Sequence, residues 1–208
     1  MIVLRYAAAA LLFSLLAAQA QRVSDLDLAR ELASPEKRKS AIAGLLLDGK
    51  GKFPALLAWT QTPPADVDEY ELRVGLADAL GQLKEEEAIP FLIKCLKLRR
   101  VRFVDFAPWM KVEAAIEDTF PAVSALIRIG PEGSKAAMRA YNEKIPLLTS
   151  RVPLLDVEER LCAIVVVSHV RGVPEALDFL RSVIVGSDSR GERFQAEQGI
   201  EFLLISAR

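Results

Sequence analysis

The chain contains one histidine and two cysteines, so few side chains could act as base, nucleophile or soft metal ligand. His169 directly follows Ser168, which first suggests a hydroxyl nucleophile beside its base. Neighbouring helical residues, however, point about 100° apart and do not face each other. The sequence also has no Gly-x-Ser-x-Gly nucleophile turn. His169 reads instead as a helix-end residue, where a cation suits the carbonyl terminus. One His and two distant Cys cannot supply a zinc ligand set. Asp188-Ser189-Arg190-Gly191-Glu192 has calcium-loop residue types but not the alternating oxygen ligands or the terminal bidentate Glu. It reads as a solvated turn before a last helix. Glu85-Glu86-Glu87 stands before a helix start, where acidic side chains suit the positive end of the helix dipole. The expectation is a chain with no catalytic residue, no metal and no cofactor, and not an enzyme.

Binding is the remaining chemistry. Between Lys97 and Lys111, the basic residues Lys97, Arg99, Arg100 and Arg102 are interleaved with Val101, Phe103, Phe106 and Trp109. Such a mix can stack on single-stranded nucleic acid. It can equally dock on an acidic protein surface or on lipid headgroups. In a third arrangement the aromatics fold back on the protein while the basic groups stay wet. Lys+Arg total 27 against 28 Asp+Glu, and this near-zero balance weighs against nucleic acid. Cys95 and Cys162 lie 67 residues apart within separate apolar helical stretches. Buried thiols and a disulfide both remain open for them.

The elements that must carry these residues form a repeat. Four stretches overlay without an internal gap, with Leu47, Leu83, Ile129 and Val170 in one column. Lys37, Arg73, Thr119 and Arg160 fall ten residues earlier, and Leu56, Leu92, Met138 and Phe179 nine later. Successive spacings are 36, 46 and 41 residues. A period in this range with two helical patterns per unit means stacked helix pairs. The units run at about 35–60, 69–97, 114–143 and 157–184. Pro54 and Pro90 share a column in the first turn of a second helix. Gly130-Pro131-Glu132-Gly133 marks a turn in the third unit. A short helix after Ser24 caps one end of the array. A last helix over 192–206, carrying Phe194, Ile200, Leu203 and Leu204, caps the other.

Arg73, Ala77, Ala79, Leu80 and Leu83, then a polar turn, then Ala88-Ile89-Pro90 and Leu92 resemble a HEAT or HEAT-like repeat. Leu126-Ile127-Arg128-Ile129-Gly130 is similar to the end of a first helix in such a unit, and the resemblance covers about residues 35–185. It implies an all-α fold, a short right-handed α-solenoid of about four helix pairs with a capping helix at each end. Such arrays bind partners along the face lined by their second helices. Here that face carries Lys94, Lys97, Lys135, Arg139 and Arg181, and a mildly basic surface is expected. The partner-binding candidates are therefore Lys94, Lys97, Arg99, Arg100, Arg102, Phe106, Trp109, Arg139 and Arg181.

The first twenty residues read as an export signal outside the fold. Arg5 supplies a positive start, Ala7 to Leu16 is apolar except for Ser14, and Ala18-Gln19-Ala20 places small residues where a signal peptidase reads. The apolar run is short of the roughly 20 residues a membrane span needs. Cleavage after Ala20 leaves residues 21–208 as the helical-repeat domain, periplasmic or secreted, with no stable membrane span. The functional expectation is an exported, non-enzymatic scaffold for an unidentified protein partner, with no nucleic acid bound. Two alternatives stay open. One is an accessory or lyase-like HEAT module that assists an enzyme or binds a small ligand, as chromophore-handling relatives of the phycobilin lyases do. The other is a structural spacer in an envelope complex.

Overall fold

The computed structural model describes residues 24–100, 119–147, 150–153 and 155–205. The signal segment 1–20, Arg102, Phe106 and Trp109 lie outside the described residues, as do the start of the third unit at 114–118 and residue 206 of the cap. The described chain is built of helix pairs. Helix α1 covers 24–33. The pairs are α2 (Pro35–Asp48) with α3 (Phe53–Gln61), α4 (Glu69–Leu83) with α5 (Ile89–Lys94), α6 (Pro121–Ile129) with α7 (Pro131–Asn142), and α8 (Val157–His169) with α9 (Ala176–Gly186). Helix α10 (Arg190–Ile205) follows. Proline stands in the first turn of α3, α5, α6 and α7, where its missing N–H has no partner to lose.

The chain divides into two compact units within α4, between Gly75 and Leu76. In the first unit, Ala29, Leu32, Ala41, Leu45, Leu56 and Leu72 are buried together with one guanidinium. Arg38 donates to the Leu32 carbonyl at 2.9 Å and to the Glu71 carboxylate at 2.9 Å. Ser24 is itself helical, and Lys52 joins the α1 end by pairing with Asp25 at 2.7 Å.

In the second unit, Leu76, Leu80, Leu92, Leu96, Val123, Leu126, Ile164 and Leu180 are fully enclosed. Burying such aliphatic groups supplies the main favourable term, roughly 25 cal/mol per Å² removed from water. Helix α7 packs against α5, α6 and α8, and α10 packs against α8 and α9. The turn in the third unit is shorter than the sequence suggests. Only Gly130 turns, with φ of 90°, and Pro131 already opens α7. Gly133 lies inside that helix, where a Cβ would meet the Leu126 carbonyl oxygen at 2.3 Å. Its smallness lets α6 and α7 approach closely.

Two further features depart from the sequence reading. Lys144–Leu147 (β1) and Ser150–Pro153 (β2) form an antiparallel pair, with Lys144 opposite Pro153 and Leu147 opposite Ser150. A hairpin this short, with a proline in each strand, lacks an alternating apolar pattern to announce it. The Leu47 column is also not a core column: Leu47 is 91% exposed near the end of α2, while Val170 is buried. The later column is the more enclosed one: Leu56, Leu92 and Phe179 are buried, while Met138 is half-buried.

Candidate functional site

Two grooves in the second unit run along the second helices. The first, about 550 Å³, is lined by Pro90, Ile93 and Lys94 of α5, Ala136, Arg139 and Ala140 of α7, Glu143, Leu155 and Glu159. The second, about 650 Å³, is lined by Lys135, Met138, Arg139 and Asn142 of α7, Glu143 and Glu175. Arg139 and Glu143 belong to both, so the grooves flank α7 as one track. Residues four apart on a helix share a face, which places Lys135, Arg139 and the end of α7 on the same side.

Local chemistry holds this track in place. Gly130 turns the chain into α7, and the Glu143 N–H donates to the carbonyls of Arg139 and Ala140 to finish it. On the far wall, Asp156 caps α8. The Glu159 N–H donates to Asp156 at 2.9 Å, and the Asp156 N–H donates to the Glu159 carboxylate at 2.9 Å. This reciprocal pair satisfies two helix-start donors and fixes the Glu159 side chain on the groove rim. Lys97 pairs with Asp156 at 2.8 Å and Glu159 at 3.4 Å. The Glu159 backbone N–H, then Lys97, hold the Asp156 carboxyl below its ordinary range, and the bond to Asp156 raises the Lys97 ammonium.

The predicted binding residues thus separate. The structure brings Lys94 and Arg139 together on one groove. Lys97, Arg99 and Arg100 instead tie the chain to itself. Arg99 pairs with Glu158 and lies 5.1 Å from the Phe120 ring centroid, and Arg100 pairs with Asp78. Arg181 pairs with Asp178 on its own helix at 3.3 Å and lines neither groove. The face is not basic but mixed, since Glu143, Glu159 and Glu175 share it with Lys94, Lys135 and Arg139. Lys135 is itself paired with Glu132 at 2.7 Å.

Residues 72–97 match the family model described as PBS lyase HEAT-like repeat, which covers most of α4 and all of α5. The chain carries a HEAT-like repeat. The matched HEAT-like unit contributes Pro90, Ile93 and Lys94 to the track, and α7 contributes the rest of the near wall. No curated protein matches the chain significantly. Among the described residues no helix is long and apolar enough to cross a membrane.

Sequence reasoning missed a second polar assembly next to the HEAT-like array. Glu192, 2% exposed, is not in a solvated turn. Its carboxylate accepts from Tyr141 at 2.6 Å, Ser187 at 2.8 Å and Arg160 at 2.9 Å. Arg160 also donates to the Tyr141 hydroxyl at 2.7 Å and lies 4.3 Å from that ring's centroid. Burial, then the bond to Glu192, push the Tyr141 phenol up. The assembly joins α7, α8 and the start of α10. Glu192 is one of three glutamates in α10, and nothing in the sequence sets it apart from Glu197 and Glu201.

The remaining candidates are accounted for locally. The Ser168 hydroxyl donates to the Ile164 carbonyl at 2.7 Å, and His169 Nδ1 donates to Val165 at 2.9 Å, so each bonds back along α8. Cys95 and Cys162 are buried reduced thiols, and burial pushes Cys162 up to about 12.

Proposed function

We propose that this chain is an exported, non-enzymatic helical-repeat scaffold that holds a protein partner along the track beside α7. The observation that carries this reading is the pair of grooves sharing Arg139 and Glu143, walled by second helices of successive repeats. A repeat array stacks its units to bury an apolar face and leaves an extended surface for binding. Export rests on Arg5, the apolar run and Ala18-Gln19-Ala20. Cys95 and Cys162 are both buried, and Cys162, pushed up to about 12, carries almost no reactive thiolate at neutral pH, which suits an oxidising compartment. The family model's own description mentions a lyase, which favours one second reading, an accessory module that helps an enzyme or holds a small ligand.

A photo-crosslinking residue at Met138 tests the scaffold, with one at the exposed Val185 as control. One recurring protein adduct from Met138 and not from Val185 is expected. Equal adducts from both positions, or a chromophore or other small molecule retained after native purification, would count against it. The mature N-terminus is expected at Gln21, and an intact Met1 would contradict export by cleavage.

A further inference from the structure

We propose that the groove between α5 and α7 receives an extended acidic segment of the partner protein, with an apolar side chain on its floor and carboxylates on Lys94 and Arg139. This deepens the scaffold reading above and rests on it. Most of the basic residues singled out in this unit are committed: Lys97 to Asp156 and Glu159, Arg99 to Glu158, Arg100 to Asp78, Lys135 to Glu132, Arg181 to Asp178. Lys94 and Arg139 line the groove with no carboxylate of the described residues paired to them. The two come from second helices of successive repeats, so helix packing sets their separation rather than loop geometry. The acidic side chain nearest in role, Glu159, is occupied by its cap and by Lys97.

Between these cations the floor is apolar: Ile93, Ala136, Ala140 and Leu155. The volume of about 550 Å³ lies within the roughly 300–1,000 Å³ of ordinary binding clefts. Shape favours a chain over a compact ligand, because the groove continues past Arg139 into the second one, along Met138 and Asn142. Charge complementarity selects acidic occupants at the Lys94 end. Glu143, which lines both grooves together with Arg139, is the carboxylate that opposes an acidic occupant.

The test uses the purified full chain and two fluorescein-labelled nine-residue peptides, one alternating Asp and Leu, the other alternating Lys and Leu. Fluorescence polarisation is expected to show the acidic peptide binding at least tenfold more tightly, with affinity falling as salt rises. Lys94→Glu with Arg139→Glu should lower that affinity at least tenfold, and Glu143→Gln should raise it. Circular dichroism and the melting temperature of both variants should match the parent. Equal binding of the two peptides would overturn the proposal, as would an unchanged affinity in the double variant. Capture of anionic-lipid vesicles that is lost in the same double variant would overturn it in favour of a membrane surface. If the Met138 crosslink persists while charge reversal has no effect, the acidic segment is wrong and the scaffold stands. If the crosslink fails as well, the scaffold falls with it.

Discussion

Arg160 and Arg139 differ more in circumstance than in chemistry. Arg160 points its guanidinium into Tyr141 and Glu192, and its partner carboxylate is almost fully enclosed. Arg139 is exposed on α7 and lines both grooves, with no carboxylate of the described residues paired to it. The first assembly ties three helices together with charge. The second presents charge to solvent. A buried ion pair is costly to break, because removing one partner strands the other in low dielectric. An exposed cation costs little to remove. Charge count alone therefore does not identify a binding face in this fold; what matters is whether each charge has an internal partner.

The largest effect should come from breaking the enclosed assembly. Glu192→Ala leaves Arg160 without its buried carboxylate and frees Tyr141 and Ser187. A loss of about 3 kcal/mol is expected by urea denaturation. A loss below about 1 kcal/mol would mean solvent reaches the site and the lock is weak. Next is the close approach that seats α7. Gly133→Ala puts a Cβ against the Leu126 carbonyl oxygen, a backbone atom that cannot rotate away. About 1–3 kcal/mol should be lost, and peptide affinity at the groove should fall with it if α7 shifts.

The rim of the groove should respond less. Asp156→Ala removes the cap of α8 and the Lys97 pair, at about 1 kcal/mol. The Asp156 carboxyl is held below its ordinary range, so its contribution is present above the unfolded value near 4. That contribution is lost as pH falls through the lower folded value. The gap between parent and variant should therefore narrow as pH falls below the unfolded value, which denaturation repeated at successively lower pH would show. Smallest is a chemical difference without a stability change. With its thiol pushed up to about 12, Cys162 should resist iodoacetamide at pH 8 in the folded protein and react after unfolding.

The pairing of helices was legible in the sequence because it rests on local signals. Pro54 and Pro90 open α3 and α5 from their shared column, and three members of the second column, Leu56, Leu92 and Phe179, are buried. What local pattern could not reveal was partnership across distance. Tyr141 meets Glu192 from 51 residues away, and Arg99 meets Glu158 from 59. The basic run at 97–100 therefore read as docking surface when its described members bind α8 and α4. The cap helix shows the same blindness to orientation. Helix α10 buries Glu192, Ala196 and Gly199, while Phe194 and Leu204 are exposed. Gly199 makes that possible, since a Cβ there would stand 2.1 Å from the Ser168 hydroxyl. Lys94 and Arg139 were legible as candidates because both fall on second helices. That they share one groove required the packing of α5 on α7.

Charge in this protein divides into internal ties and displayed groups. Side-by-side urea denaturation of Glu192→Ala and of Lys94→Glu with Arg139→Glu separates the two. A loss of about 3 kcal/mol is expected for the first and a change within about 0.5 kcal/mol for the second. Equal destabilisation by the two would overturn this division, because Lys94 and Arg139 would then be holding the fold rather than standing displayed in the groove.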